Sequence, residues 1–418
     1  MINLKKIFSK VGPGFITGFS DDDPSGILTY LQAGVVLGTK GLWLVLFTLP
    51  LMYGIQEMVG RIGLVTDKGL MKLIKLHHSR PVFMSISLLV AGVIILNISA
   101  DMLAVGVVIE TLFRIPPFLT MALVGLFIIF GITFLSYRRF ANILKWLGLS
   151  LLFYIIALIS FDTDWARVLV DSVIPSFEWS RNTALILVAI LGTTISPYMF
   201  FWQASEEVEE RDEKEPYKSR RFLITNRRLV EIKKDTLGGM MISNIVMWFV
   251  IAAASQIGQT AGLLQINDFN DASLVLTPVM GKLAFLAFGL GIIGTGLLSI
   301  PVLAGSAGYV IAEVFNLKEG LNKRFKDAKL FYLIIALVTV GGYFLNILRL
   351  NVVEALILTA VLYAAITPII IYFILKIANN KKIMKTKTNS HWSNLLGLAT
   401  LITMTAAALI YVYYSFLP

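Results

Sequence analysis

The sequence contains no cysteine, which excludes a disulfide framework, thiolate metal ligation and cysteine nucleophiles. Histidine is almost as scarce. His77, His78 and His391 all fall in polar connections, so a multi-histidine metal centre is not expected. Charge is thin as well: Asp, Glu, Lys and Arg together make up 15% of the 418 residues, against about 25% in soluble domains. Polar faces for a water-soluble enzyme of this length are therefore missing. What fills the space is apolar, 57% of the chain with a mean hydropathy of +0.79. These proportions predict an all-α membrane protein that crosses the bilayer many times. No cofactor is expected.

A hydrocarbon core about 30 Å thick takes roughly 20 apolar residues per helix. Apolar runs between charged or turn-rich breaks give eleven spans, near 12–37, 42–60, 82–113, 118–136, 143–161, 183–205, 237–258, 279–313, 330–348, 352–376 and 394–416. Met1–Lys10 leads straight into the first run with no cleavage pattern, so no signal peptide is expected. With the N-terminus inside, 30 of the 36 Lys and Arg lie on the inner side. That asymmetry predicts a cell-membrane protein with a cytoplasmic N-terminus and an external C-terminus. It also accounts for the net charge of +10 without invoking nucleic acid. Lipid is the expected surrounding, and nothing in the sequence predicts an oligomer. The longest polar stretch, Glu206–Asp235, reads as a solvated helix extension and loop of mixed charge. No other segment is long enough for a separate domain, so residues 1–418 form one transport domain.

Two spans are interrupted at corresponding places. The first contains GFSDDDPSGIL, with Asp21, Asp22 and Asp23 ahead of Pro24, Ser25 and Gly26 in an otherwise apolar run. Each carboxylate at mid-membrane costs at least about 2.5–3.5 kcal/mol on insertion scales. Proline removes a helix hydrogen bond and glycine tolerates unwinding. The sixth span carries LGTTISPYMFF, where Ser196 and Pro197 follow Thr193 and Thr194. Broken helices in equivalent positions of two halves indicate an inverted-repeat transporter with its site between them. The repeats would run from about 12 to 161 and from about 183 to 376, with 394–416 as an additional helix. Carboxylates and free backbone carbonyls make an oxygen-rich cation site, and oxygen without sulfur or imidazole favours hard divalent cations.

These residues resemble the Nramp family of divalent-metal transporters, which have a leucine-transporter-type 5+5 fold. The stretch Gly12-Pro13-Gly14-Phe15, then Asp23-Pro24-Ser25-Gly26, then Gln32-Ala33-Gly34 is similar to that family's first helix. Gln56, Arg61, Gly63, Val65-Thr66 and Lys68-Gly69-Leu70 are similar to its second helix and the loop after it. Asp101 matches an acidic position of its third helix. The resemblance implies a metal held by an Asp and an Asn of the first helix and a Met thioether of the sixth. Here Asp23 is kept, while Gly26 stands at the Asn position, Ser196 at the Met and Tyr198 at the His. The tenth span lacks the family's glutamine.

The family's proton route uses third-helix acids and a ninth-helix arginine. Ala104 replaces the second acid, and the interior of 330–348 has no basic residue, which predicts weak or absent proton coupling. Loss of the soft thioether and of two side-chain volumes predicts a harder, roomier site, suited to Mg²⁺ with several waters retained. The pattern is most similar to a divergent, magnesium-type branch of the family.

The expected ion contacts are Asp23, Ser196, Gly26 and Ser25. Asp22, Asp101, Thr194, Tyr198 and Gln203 are pathway candidates. If the helix runs up to the break, Asp22 and Asp21 point about 100° and 200° away from Asp23. Glu313 and Glu354 fall near span ends and read as interfacial. The competing readings are a proton-coupled Mn²⁺ or Fe²⁺ carrier, a broken-helix transporter of an organic cation or amino acid, a channel, and a membrane enzyme using Asp21–Asp23 for Mg²⁺-diphosphate chemistry. The enzyme reading lacks a second facing acid cluster and basic phosphate binders beside the aspartates.

Overall fold

The computed structural model describes residues 12–134, 151–176, 178–214, 226–260, 262–348 and 350–416. Among them all regular structure is helical. The first span is two pieces, α1 (Pro13–Phe19) and α2 (Pro24–Leu37). Pro24 has no N–H to continue the ladder of α1, and Asp23 ahead of it is held extended (φ −73°, ψ 171°). After α3 (Trp43–Thr66) and the short amphipathic α4 (Leu70–His77) come α5 (Arg80–Phe113) and α6 (Pro117–Phe134). The fifth span, expected at 143–161, lies partly outside the described residues, and its described part is α7 (Leu152–Ser160). Helix α8 (Trp165–Val173) connects to the sixth span.

That span is again two pieces, α9 (Arg181–Thr194) and α10 (Pro197–Lys214). There follow α11 (Asn226–Thr260), the short α12 (Phe269–Ser273) and α13 (Thr277–Met280), and α14 (Ala284–Phe315). The chain ends with α15 (Lys329–Leu345), α16 (Val352–Ala378), the single turn α17 (Lys381–Met384) and α18 (His391–Phe416).

Eight helices among the described residues are long and apolar enough to cross a membrane. The remaining expected spans are the first, split into 7- and 14-residue halves, the fifth, described in part, and the ninth, only 17 residues long. Polar side chains complete the broken backbones. Tyr198 Oη donates to the Ser20 carbonyl at 3.2 Å, Thr367 Oγ1 to Ile195 at 3.2 Å and Gln56 Nε2 to Met199 at 3.1 Å. Such replacement partners are what permit non-helical backbone at membrane depth.

The packing has the symmetry of an inverted repeat. Helices α1 and α2, the first span, lie on α11, the seventh. Helix α10, from the sixth, lies on α3, the second. α5 and α14, the third and eighth spans, run against each other. Small residues let backbones meet. A Cβ on Gly18 would sit 2.2 Å from the Gly239 carbonyl carbon, and one on Gly192 only 1.8 Å from the Ala360 oxygen, joining α1 to α11 and α9 to α16. α18 is the least buried of the eight spanning helices, as suits a helix added outside the repeat. A buried Arg61–Glu57 pair (3.0 and 3.2 Å) ties α3 to the loop before α18 through the Lys387 carbonyl and Asn389.

The charged stretch after Glu206 departs from the solvated reading. Residues up to Lys214 continue α10, and Asn226–Asp235 opens α11; residues 215–225 lie outside the described residues. Glu206, Glu207 and Glu210 are buried; α10 packs against α3, α14 and α4, and Tyr309 of α14 donates to Glu206 at 2.9 Å. Glu313, in the last turn of α14, is likewise buried against neighbouring elements. It accepts from the Lys72 amide at 2.7 Å and from Ser205 Oγ at 3.1 Å. Glu354 is exposed.

Candidate functional site

Asp23 is the N-cap of α2. One carboxylate oxygen accepts from the Gly26 amide at 2.6 Å, with Pro24 at the first helical position. An ordinary cap stops there. Here the other oxygen accepts from Asn97 Nδ2 of α5 at 2.9 Å, and the whole group is 3% exposed. Asp101 lies one turn further along α5, fully buried, and accepts from Ser299 Oγ of α14 at 3.0 Å. It is near enough to Asp23 for the two carboxyl groups to act on each other electrostatically. No Lys or Arg pairs with either among the described residues.

The cluster leaves acceptors over. Asn97 Oδ1, Asp101 Oδ1, Tyr363 Oη and Asp21 Oδ1 are buried without a hydrogen-bond partner. The two α5 residues share a helix face because they are four apart. Tyr363 comes from α16, its ring 5.7 Å from that of Tyr198. A buried unsatisfied polar group normally costs about 1–3 kcal/mol. Several such oxygens beside buried acids, with no basic side chain, form a place that lacks positive charge. Among the described residues, no three acidic or imidazole side chains converge on one metal-sized point. The acids instead occur as Asp23 with Asp101 and as Asp21 with Asp22.

The remaining expected residues are placed as follows. Ser25 Oγ donates to the Leu356 carbonyl at 2.8 Å and lies 3.2 Å from Thr359 Oγ1, so it links α2 to α16. Ser196 is buried at the second break, and its hydroxyl reaches back to the Thr193 and Gly192 carbonyls at 2.7 and 2.9 Å. This leaves its lone pairs as acceptors. Thr194 Oγ1 bonds Ile190 within its own helix. Gln203 Nε2 donates to Thr236 Oγ1 at 2.9 Å, between α10 and α11. Phe200, Phe201 and Trp202 are inside the protein. Gly26 does not open free volume: a Cβ there would come 3.2 Å from the Asp21 carbonyl and 3.3 Å from Thr193 Oγ1, which already occupy the space.

Asp21 and Asp22 correct the helical-wheel expectation. Both point to one hydroxyl, Ser243 of α11, at 3.0 and 3.2 Å. The chain between α1 and α2 is not helical, so a rotation of about 100° per residue does not apply. Sequence reasoning missed Asn97, Ser243, Ser299 and Tyr363. Asn97 carried a signal, its four-residue spacing from Asp101; the others carried none.

The comparisons with known proteins fit this architecture. The profile of the family described as Nramp, "Natural resistance-associated macrophage protein-like", matches residues 14–414. A divalent metal cation transporter MntH of Erwinia tasmaniensis is 26% identical over 333 residues, covering 75% of this chain and 74% of the relative. The MntH of Klebsiella pneumoniae subsp. pneumoniae is 24% identical over 395 residues, covering 93% and 90%. Among solved structures, a variant of the Eremococcus coleocola manganese transporter superposes with a TM-score of 0.76 at 16% identity, covering 100% of this chain and 90% of that one. MhsT in complex with L-phenylalanine gives 0.61 at 14%, covering 96% and 98%. The fold is thus that of the leucine-transporter-type carriers.

Proposed function

The chain belongs to the Nramp family, and on that premise we propose that it is a secondary carrier, not an enzyme, moving a divalent cation across the cell membrane by alternating access. The observation that carries the reading is the pair Asp23 and Asp101: two buried carboxylates from different helices, with no basic partner among the described residues and unpaired oxygens around them. Neutralising charge must come from outside the protein's own basic residues, as a cation or a proton, since burying unpaired carboxylates is otherwise prohibitive. The carbonyl ends of α1 and α9 add negative potential at the same level.

The ion proposed is hard and partly hydrated, with Mg²⁺ first. All donors near Asp23 are oxygens, and a site with few carboxylates suits an ion that keeps its water. Proton coupling through the third and ninth spans is weak or absent, because Ala104 and the base-free interior of α15 leave Asp101 as the one matching group of that route. Manganese is the runner-up, since the Eremococcus coleocola protein of the same fold is a manganese transporter. Asp23 anchors the ion. Ser25, Gly26 and Ser196 shape the two breaks, Tyr198 joins them, and Asp22, Asp101, Thr194 and Gln203 line the approach. The end bearing the basic loops faces the cytoplasm. Each repeat supplies one broken helix, so rocking of the bundle exposes the ion to either side in turn.

The test is uptake into proteoliposomes under a membrane potential, with Mg²⁺, Mn²⁺ and Ca²⁺ compared and internal pH followed. Mg²⁺ uptake without acidification is expected, and Asp23→Asn abolishes it in a protein that still elutes as a folded species. Mn²⁺ uptake with acidification and no Mg²⁺ uptake would refute the ion assignment. Unchanged uptake in Asp23→Asn would refute the site.

A further inference from the structure

We propose that Asn97 is an ion-site residue: its amide nitrogen orients Asp23, and its amide oxygen receives a hydrogen bond from water bound to the cation. This rests on the carrier reading above and extends it to a residue of α5 and to the hydration state of the bound ion.

The geometry begins with the orientation of the carboxamide. The two ends of an asparagine are told apart only by their partners. Here the end facing Asp23 Oδ2 at 2.9 Å must be Nδ2, because the carboxylate offers no proton and two oxygens would repel. Oδ1 is thereby fixed as the free end, close to Asp23, buried and without a donor. A side chain that is wholly buried and half satisfied is expensive unless something else supplies the missing hydrogen.

The neighbours say what supplies it. Both Asp23 oxygens already accept a hydrogen bond each, from Gly26 and Asn97. The other unpaired groups, Asp101 Oδ1 and Tyr363 Oη, are again acceptors or bifunctional oxygens. A bare ion needs ligands converging at about 2.0–2.1 Å, and no three acidic or imidazole groups so converge among the described residues. A hydrated ion instead presents a shell of O–H donors, which matches spare acceptors on α5 and α16 around one anchoring carboxylate. Asn97 and Asp101 stand on the same face of α5, which belongs to the third span, whereas Asp23 is at the break of the first. The hydrated ion is therefore read from three helices at once, α2, α5 and α16.

The experiment uses the full chain in proteoliposomes, Mg²⁺ uptake as the readout and cobalt(III) hexaammine as competitor. That complex is inert to ligand exchange and has the size and outward-pointing hydrogens of a hexahydrated ion. In the parent protein it blocks Mg²⁺ uptake. Asn97→Ala raises the Mg²⁺ KM and the inhibition constant of the complex together, each about tenfold, the scale of one lost hydrogen bond in a charged network. Failure of the complex to block the parent, or an unchanged KM and inhibition constant in Asn97→Ala, overturns the role of Asn97 and leaves the carrier reading standing. A parent protein that takes up no divalent cation overturns both. Should Asn97→Ala fail to fold, Asn97→Leu, which keeps the volume and lacks both amide ends, is read in the same way, and an unchanged KM and inhibition constant overturns the proposal.

Discussion

Glu209 holds a turn of chain that joins α14 to α15, and replacing it with glutamine should loosen that end of the protein selectively. Its Oε1 accepts from the Leu321 amide at 2.9 Å and from the Tyr309 hydroxyl, and its Oε2 from the Asn322 amide at 2.8 Å. The turn is made around the carboxylate by Gly320, whose φ of +138° suits glycine and whose missing Cβ would lie 3.0 Å from Glu209 Oε1. A glutamine offers one oxygen where the carboxylate offers two. Whichever way it is turned, an amide N–H then meets an NH₂ group. One charge-assisted bond is lost, worth about 1.5–3 kcal/mol. At 1.4 kcal/mol per tenfold, that is roughly a ten- to hundredfold rise in local opening. Hydrogen–deuterium exchange of the segment spanning residues 316–328, in detergent or nanodiscs, reads this directly. Faster exchange confined to that segment and to the end of α10 is expected. Unchanged exchange there, in a Glu209→Gln protein that is folded, would show that the carboxylate does not fasten the turn.

Glu319, in the same loop, supplies a pH dependence. Burial, with Glu313 beside it as the next cause and Glu209 adding to it, pushes its carboxyl from the ordinary 4.5 up to about 9, against the pull of Lys72 and Lys323. The native state then binds more protons than the unfolded one between these values, so stability is greatest below that window and falls as pH rises through it. Protection of residues 316–328 should decline from about pH 5 to about pH 9, and Glu319→Gln should flatten the decline; an equal slope in both proteins would sink the assignment. The Arg61–Glu57 pair gives a stability prediction. Arg61→Ala leaves Glu57 buried without its partner and should cost about 3–5 kcal/mol, read as a lower melting temperature in detergent. Combining Glu57→Gln with Arg61→Met should recover most of the loss, and a double variant as unstable as the single one would contradict the buried-charge explanation.

The spans and both breaks were legible because each rests on a local rule. Apolar length sets a membrane helix, and Asp23-Pro24 and Ser196-Pro197 remove backbone donors wherever they occur. The directions of side chains at a break were not legible. Asp21 and Asp22 both turn to Ser243 because unwound residues follow neighbours on other helices, and Ser243 is 222 residues from Asp21 in sequence. Burial of Glu206, Glu207, Glu210 and Glu313 was hidden for a related reason. A run of charge looks solvated until another helix is laid over it. The space credited to Gly26 failed similarly: volume belongs to the surroundings, and there the Asp21 carbonyl and Thr193 supply the filling. Asn97 was recoverable, since an amide four residues before a membrane-embedded acid repeats on one helix face. Tyr363 and Ser299 were not, because a lone hydroxyl in an apolar helix bonds its own backbone more often than a distant acid.

The arrangement around Asp23 also bears on why an ion placed there would be cargo. A structural cation is held by a complete and convergent ligand set, and every ligand added makes departure slower. Here the anchoring carboxylate is already oriented by Gly26 and Asn97 before any ion arrives, so binding requires little rearrangement of the anchor. The surrounding acceptors are unpaired, so in the proposed site an ion with bound water would supply hydrogen bonds that the protein's own groups do not. Direct ligands remain few, however, and contacts through water are individually replaceable. Conduction and transport both require binding that is favourable enough to capture and weak enough to release. A preset carboxylate with incomplete outer contacts on α5 and α16 meets that requirement, and it places the contacts most easily lost on helices other than the one that carries the anchor.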